Sequence, residues 1–127
     1  MTKIKVYYED TDASGRVYHS NYLKYLERDR SNFVYKLGIN HLTLKNKHNT
    51  IFVVKKSNID YKKPAFFEDN LLVKTKIIDF SELKIIFLQK IFREKELLVQ
   101  AEITIVSINN LGKISKIPNF IFKKLKK

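Results

Sequence analysis

The chain has 127 residues, 44% of them hydrophobic, and a formal net charge of +12 from 25 basic and 13 acidic side chains. This length supports one hydrophobic core, so we expect a single domain over residues 1–127. The chain has no cysteine, which excludes disulfides, thiolate catalysis and cysteine-ligated metal sites, and the lack of a secretory signal or an apolar membrane-spanning run favours the cytoplasm.

The N-terminal segment alternates between apolar and polar side chains over residues 4–8, which predicts a first strand. Acidic residues follow at once, so this strand leads into a loop that contains the carboxylates of Glu9, Asp10 and Asp12. Ser14-Gly15 then supplies a turn, because glycine tolerates positive φ. From spacing alone, acids in such a loop are more often solvated caps than catalytic groups.

A helix is predicted over residues 20–37. Its apolar stripe consists of Leu23, Leu26, Phe33 and Leu37. Ser20 or Asn21 is able to cap its N-terminus, and Gly38 follows as a stop signal. Unpaired N–H groups in the first turn, at the positive end of the helix dipole, would stabilise a carbonyl oxygen that gains negative charge.

The rest of the chain favours strands. Four segments rich in Ile, Val and Phe are predicted as strands: Ile51–Tyr61, 71–78, 83–92 and 97–108. Short polar breaks between them predict consecutive hairpins and an antiparallel sheet. Residues 85–88 are apolar on both faces, so we expect the helix to cover one face and another subunit to cover the other. A short amphipathic helix is predicted after Pro118, packed on the sheet edge, with weak membrane-surface contact through Phe120 and Phe122 left open.

One motif carries a family resemblance. Residues 7–22, YYEDTDASGRVYHSNY, and residues 23–28, LKYLER, closely resemble the signature of the 4-hydroxybenzoyl-CoA thioesterase family. These residues are most similar to those of the Tol-Pal-associated acyl-CoA thioesterase branch. The resemblance extends through residues 61–65 and the later strands. The resemblance implies an α+β hotdog fold, in which a long central helix is wrapped by a curved antiparallel sheet of about five strands. It also implies hydrolysis of acyl-CoA thioesters without a metal or an organic cofactor.

The resemblance also assigns roles to single residues. It places the catalytic aspartate on Asp12, with Asp10 as an accompanying acid. The branch histidine falls on His19 and the strand-end tyrosine on Tyr8. Asp12 would attack the thioester carbonyl directly or activate water as a general base, and the sequence leaves both routes open. The backbone N–H groups of Tyr18 and His19 would polarise the carbonyl, and the His19 side chain would orient water or interact with the departing thiolate.

Two further groups of polar residues have open roles. Glu27 and Arg30 lie beside the apolar stripe of the helix, where they are expected to form an i,i+3 ion pair or a subunit-contact network. The functional alternative makes Glu27 a second active-site acid. His41 and His48 lack metal-ligand spacing, so no metal site is expected.

The net charge favours an anionic partner. The phosphates of CoA satisfy this demand, and an acidic acyl carrier protein or an anionic membrane surface would also be attracted. No RNA-binding signature is present, so nucleic acid is not expected. By resemblance we expect a homo-oligomer, a dimer or a tetramer, with active sites at subunit contacts. The alternative is a non-catalytic hotdog subunit that binds acyl groups or acyl carrier protein.

Overall fold

The computed structural model describes residues 1–126. Its strands are β1 (Thr2–Lys5), β2 (Ile51–Tyr61), β3 (Asn70–Phe80), β4 (Lys84–Arg93), β5 (Glu96–Ile108) and β6 (Ile114–Ser115). Its α-helices are α1 (His19–Lys36), α2 (His41–His48) and α3 (Asn119–Leu125), and a 3₁₀ turn covers Tyr8–Asp10. The bounds predicted for β2 are confirmed, and α1 begins and ends one residue earlier than predicted.

The strands form one antiparallel sheet in the order β1-β3-β4-β5-β2, and β6 pairs with β5. The predicted hairpins that join β3, β4 and β5 are confirmed. The prediction of a hairpin from β2 to β3 is wrong, because β2 pairs with β5 at one edge and residues 62–69 carry the chain towards the other edge. Register shifts after Val54, Ile77 and Ile91 mark irregularities that increase the local twist of the sheet.

Helix α1 lies against the sheet through β3 and β4. Its buried residues are Asn21, Tyr22, Tyr25, Leu26, Asp29 and Val34. Leu23 is 44% exposed, so its assignment to the buried stripe is wrong. The packed face instead follows the helical spacing of Tyr22, Leu26 and Asp29, and it includes a carboxylate that the apolar pattern did not predict.

Strand β1 is shorter than predicted and ends at Lys5, although Val6 is still fully buried. The backbone N–H of Tyr7 donates to the Asp10 carboxylate at 2.9 Å, which closes a turn where the pattern suggested continued strand. Tyr8 lies in this turn with 76% of its side chain exposed. Its description as a strand-end residue is therefore wrong.

Sequence reasoning missed helix α2. The Asn40 side chain caps it by accepting hydrogen bonds from the backbone N–H groups of Leu42 and Thr43 at 2.9 and 3.1 Å. Asn49 ends it in the left-handed region with φ +50°. Leu44 is its one buried residue, so apolar periodicity gave no signal.

Helix α3 follows Pro118 as predicted, and it packs against the hydrophobic core. Ile121 is buried, and the rings of Phe122 and Phe80 stack with centroids 5.8 Å apart. Phe120 is half-buried, 4.7 Å from the His48 ring. Both phenylalanines considered for membrane contact therefore pack against other residues of the chain. Within the described residues, no helix is both long and apolar enough to cross a bilayer.

Strand β4 differs between its two faces. Its buried residues alternate on the core side, at Ile85, Phe87, Gln89 and Ile91. On the opposite face Ile86 and Leu88 are only half-buried. A single chain therefore covers one face of this strand.

Candidate active site

Residues 10–18, which we call the site hairpin, fold back on themselves in front of α1. The Tyr18 N–H donates to the Asp10 carbonyl at 2.9 Å, and the Asp12 N–H donates to the Arg16 carbonyl at 2.9 Å. A bond of 3.0 Å from the Gly15 N–H to the Asp12 carbonyl closes the tip, where Gly15 has φ +82°. Backbone hydrogen bonds therefore fix the position of Asp12 within the hairpin, which runs directly into the first turn of α1.

The Asp12 carboxylate is exposed at the tip of this hairpin. Its Oδ1 accepts two hydrogen bonds from Ser14, from the backbone N–H at 2.8 Å and from Oγ at 2.5 Å. The Ser14 hydroxyl is the main cause that lowers the pKa of Asp12, followed by the Ser14 N–H, with smaller contributions from Arg16. The carboxylate is therefore ionised at neutral pH. No hydrogen bond from the described residues reaches Oδ2, which leaves that oxygen free for chemistry.

A neighbouring segment, residues 65–67, holds the site hairpin against the body of the protein. The Val17 N–H donates to the Ala65 carbonyl at 2.9 Å, and the Phe67 N–H donates to the Gly15 carbonyl at 3.0 Å. The buried Tyr22 of α1 in turn accepts a hydrogen bond at its phenol oxygen from the Ala65 N–H at 2.9 Å. Burial raises the pKa of Tyr22, so this phenol stays neutral. The helix and the hairpin are thereby fixed relative to each other.

The start of α1 differs from the predicted cap. The helix begins at His19, so Ser20 and Asn21 lie inside its first turn. The Asn21 side chain donates to the Asp10 carbonyl at 2.8 Å and anchors the site hairpin instead of capping the helix. The same carbonyl accepts the Tyr18 N–H, which is therefore not free to act as an oxyanion donor. Of the two predicted donors, only the His19 N–H has no acceptor among residues 1–126.

The imidazole of His19 packs at a tilt against an aromatic residue for which the sequence predicted no role. Its ring centroid is 5.1 Å from that of Tyr61, which in turn lies 5.4 Å from Tyr22. Tyr61 ends β2, so it brings the first turn of α1 next to the edge strand of the sheet. The motif at residues 61–65 was the only signal in the sequence for this contact.

Tyr8 and Glu27, the two remaining predicted site residues, have other contacts in the described chain. The Tyr8 ring stacks on Phe67 with centroids 3.9 Å apart, and no hydrogen bond joins its phenol to Asp12. Glu27 lies about 12 Å along the helix axis from His19, at 1.5 Å per residue. Glu27 accepts a hydrogen bond from Ser31 at 3.0 Å.

The predicted i,i+3 ion pair between Glu27 and Arg30 is not formed. No salt bridge within 4.0 Å joins them in the described residues, and the Arg30 guanidinium instead donates to Gln89 Oε1 at 2.9 Å. Gln89 is fully buried on the core face of β4. Because glutamine is usually exposed, the sequence gave no signal for this partner.

Five cavities lie along α1 and the strands of the sheet, and they are lined by residues other than Asp12 and His19, which are both exposed. The carboxylate and the free helix N–H are therefore presented on an open surface. Chemically, this arrangement combines a nucleophile or base with a backbone donor for a developing oxyanion.

Comparison with known proteins identifies the family. The model of the thioesterase-like superfamily matches residues 6–125. The chain belongs to this superfamily. It is 36% identical over 114 residues to the acyl-CoA thioesterase YbgC of Haemophilus influenzae, covering 90% of this chain and 83% of the relative. It is 35% identical over 109 residues to the acyl-CoA thioester hydrolase YbgC of Escherichia coli, covering 85% and 81%.

A solved structure agrees with the superfamily assignment. The probable thioesterase from Bartonella henselae superposes with a TM-score of 0.88 at 34% identity, covering 92% of this chain and 97% of that chain. The predicted α+β hotdog fold, a long helix against one antiparallel sheet, is confirmed.

Proposed function

We propose that this chain, as the single domain expected over residues 1–127, hydrolyses acyl-CoA thioesters with Asp12 as the reacting carboxylate. The observation that carries the proposal is that two groups are available together: an ionised Asp12 whose Oδ2 is free, and a His19 N–H without an acceptor at the start of α1. The superfamily match and relatives named as acyl-CoA thioesterases support the reaction class.

Two routes for Asp12 remain in this proposal. As a general base, Oδ2 takes a proton from water while the water oxygen bonds to the carbonyl carbon. As a nucleophile, Oδ2 itself bonds to that carbon and a second step hydrolyses the resulting anhydride. In both routes the carbon–sulfur bond breaks and the CoA thiolate leaves, to be protonated from solvent. Both routes need the charged carboxylate, which the bonds from Ser14 favour.

The His19 backbone supplies the electrostatic part of the mechanism. Its N–H, at the positive end of the α1 dipole, donates to the carbonyl oxygen as negative charge develops there. The imidazole, which packs against Tyr61, would orient water or interact with the thiolate. Tyr8 contributes an exposed aromatic wall beside the site hairpin, held by its stacking on Phe67.

The open surface around Asp12 and His19 supports a homo-oligomer, a dimer or tetramer, in which a second subunit encloses the substrate. The charge of +12 suits the phosphates of CoA, and it also suits an acidic acyl carrier protein as the acyl donor. The motif at residues 7–22 supports membership of the Tol-Pal-associated branch, and we propose that the enzyme is cytoplasmic. Glu27, about 12 Å from His19 along the α1 axis, would act at the subunit contact or as a second acid of the site.

The test is a panel of thioesters: short-chain, long-chain and aromatic acyl-CoAs and an acyl carrier protein thioester. Released thiol is measured with a thiol reagent, which the chain itself does not titrate because it has no cysteine. Wild type is compared with Asp12→Asn and with Glu9→Gln, a matched control for an exposed acid in the adjacent turn. We expect turnover by wild type and Glu9→Gln and its loss in Asp12→Asn. Binding of acyl-CoA without turnover of any panel member would instead identify a non-catalytic acyl-binding subunit.

A further inference from the structure

The turn between β4 and β5 brings two opposite charges together at one end of the sheet. Arg93 ends β4 and Glu96 begins β5, and these two residues pair directly across the hairpin. One guanidinium nitrogen, Nη2, donates to Glu96 Oε1 at 2.6 Å. The Arg93 side chain is 27% exposed, so solvent screens its ion pairs less than those of a fully exposed arginine. From the sequence, residues 93–96 indicated only a polar break between two strands.

The rest of the Arg93 guanidinium contacts residues 64–69. Its Nη1 donates to Asp69 Oδ2 at 2.7 Å, and a longer bond of 3.4 Å reaches the Pro64 carbonyl. The same Asp69 oxygen accepts the Phe66 N–H at 2.8 Å, and the guanidinium carbon lies 5.9 Å from the centre of the Phe66 ring. Arg93 therefore contacts this segment at both of its ends and in its middle.

Two of the backbone hydrogen bonds that hold the site hairpin come from inside this segment. The Val17 N–H donates to the Ala65 carbonyl at 2.9 Å, and the Phe67 N–H donates to the Gly15 carbonyl at 3.0 Å. Ala65 and Phe67 both lie between the two ends that Arg93 contacts. A shift of the segment would therefore move the site hairpin with it.

The backbone of this segment needs support from side chains. Glu68 has φ +70°, in the left-handed region that costs energy for a residue other than glycine. The Asp69 carboxylate stabilises the turn by accepting the Phe66 N–H, and Arg93 fixes the direction of that carboxylate. Pro64 has no N–H, and the donor to its carbonyl among residues 1–126 is Arg93. Loss of the guanidinium should therefore loosen the turn at both of its ends.

We infer that Arg93 is a positioning residue for the reaction. Through Asp69 and Pro64 it holds residues 65–67, and through that segment it keeps the site hairpin where Asp12 meets the thioester carbonyl. Arg93 acts on the hairpin and not on the reacting atoms. The effect on turnover rests on the proposed function, whereas the effect on the hairpin does not.

Kinetics of Arg93→Met test the effect on turnover. Methionine removes all of these hydrogen bonds and keeps a long apolar side chain. We expect kcat per folded enzyme to fall about 10- to 100-fold while KM stays within about 3-fold, because a misplaced reacting group loses rate rather than substrate binding. Asp60→Asn, which removes an exposed ion pair of 3.0 Å with Lys62, is the matched control and should keep the kcat of wild type. A rise in KM with unchanged kcat would assign Arg93 to substrate binding and overturn the inference.

Amide hydrogen exchange, followed by NMR, tests the effect on the hairpin without any substrate. We expect exchange at the N–H groups of Val17 and Phe67 to rise in Arg93→Met at least about 10-fold more than at Ala101, which lies in the central strand β5. A residue that only stabilises the whole fold would raise exchange by the same factor at all three positions. Such a uniform rise, with kcat per folded enzyme unchanged, would overturn the inference.

Two milder variants cover the case in which Arg93→Met does not fold. Arg93→Lys keeps the charge but cannot bridge Asp69 and Glu96 with one planar group. Asp69→Asn keeps an acceptor for the Phe66 N–H and loses the ion pair. We expect each to lower kcat about 3- to 10-fold at the KM of wild type, with faster exchange at Val17. Wild-type kcat and exchange in both would overturn the inference.

Failure of the proposed function gives a different result from failure of this inference. If wild type hydrolyses no thioester, the chemistry assigned to Asp12 fails, and the exchange rates at Val17 and Phe67 still decide whether Arg93 positions the hairpin. If wild type is active and the Arg93 variants match it in kcat and in exchange, the positioning role fails and the proposed function stands.

Discussion

Two aspartates of this chain have opposite environments. Asp12 is exposed on the site hairpin, where Ser14 binds one carboxylate oxygen and leaves the other free. Asp29 is 2% exposed on the buried face of α1, and its two carboxylate oxygens accept hydrogen bonds from Thr2 and from Thr75. A free oxygen on a rigid loop suits chemistry, whereas a fully bonded buried carboxylate suits structure.

The carboxylates of Asp12 and Asp29 are held in position in two different ways. The position of Asp12 depends on backbone bonds in a nine-residue segment, residues 10–18, and on its anchor at Ala65. The position of Asp29 on α1 depends on side chains from two other elements, Thr2 of β1 and Thr75 of β3. Substitutions near Asp12 should therefore change activity with little effect on stability, and substitutions at Asp29 should do the reverse.

The largest expected effect concerns the His19 backbone. His19→Ala removes the imidazole and keeps the N–H, whereas His19→Pro removes both. Proline is compatible with the first helical position, and Tyr18 already has φ −69° and ψ 141°, which a residue before proline favours. We expect kcat of His19→Pro to fall a further 100-fold or so below that of His19→Ala, because the oxyanion donor is lost.

The control for this pair is the free energy of unfolding, measured in urea, which should be similar in the two variants. Equal kcat values for the alanine and proline variants would remove the His19 N–H from the mechanism.

The next largest effect is on stability, at Asp29. Asp29→Ala leaves the hydroxyls of Thr2 and Thr75 without their acceptor, so the free energy of unfolding should fall by about 1–3 kcal/mol. Urea denaturation measures this change, while kcat/KM per folded enzyme should remain that of wild type. A loss of turnover without a loss of stability would show that Asp29 acts in the reaction and not in holding the fold.

The fold could be predicted from the sequence more fully than the contacts of the buried polar groups. Enrichment in Ile, Val and Phe predicted the bounds of β2, and helical spacing with the Gly38 stop predicted α1 to within one residue. The predicted stripe left out Asp29, which lies on the buried face with Tyr22 and Leu26, because an acidic residue is taken as exposed unless its partners are known. Those partners come from β1 and β3, which are distant in sequence.

The candidate site shows the same limit. The motif predicted that Asp12 lies in a loop shortly before the helix start, because local turns follow from neighbouring residues. It did not predict that the Asp10 carbonyl would occupy the Tyr18 N–H, or that Tyr61 would pack on His19. These contacts depend on how the hairpin and β2 meet the helix, which linear spacing does not specify.

The smallest expected effect is a shift in pH dependence. Ser14→Ala removes the hydroxyl that contributes most to the lowered pKa of Asp12, so this pKa should rise towards its ordinary value. Because activity needs the ionised carboxylate, it is lost as the pH falls through the Asp12 pKa. The acid limb of the kcat/KM profile should therefore move to higher pH in Ser14→Ala. Ser20→Ala, in the first turn of α1, is the control, and an identical acid limb in all three proteins would argue against Asp12 as the titrating group.

The most direct test of the account compares kcat/KM of Asp12→Asn with that of wild type on the acyl-CoA that wild type hydrolyses best. Asparagine keeps the shape of the side chain and its acceptor oxygen for Ser14 but removes the charge. We predict a fall of about 100-fold or more with an unchanged free energy of unfolding. A kcat/KM equal to that of wild type would contradict the assignment of Asp12 as the reacting carboxylate.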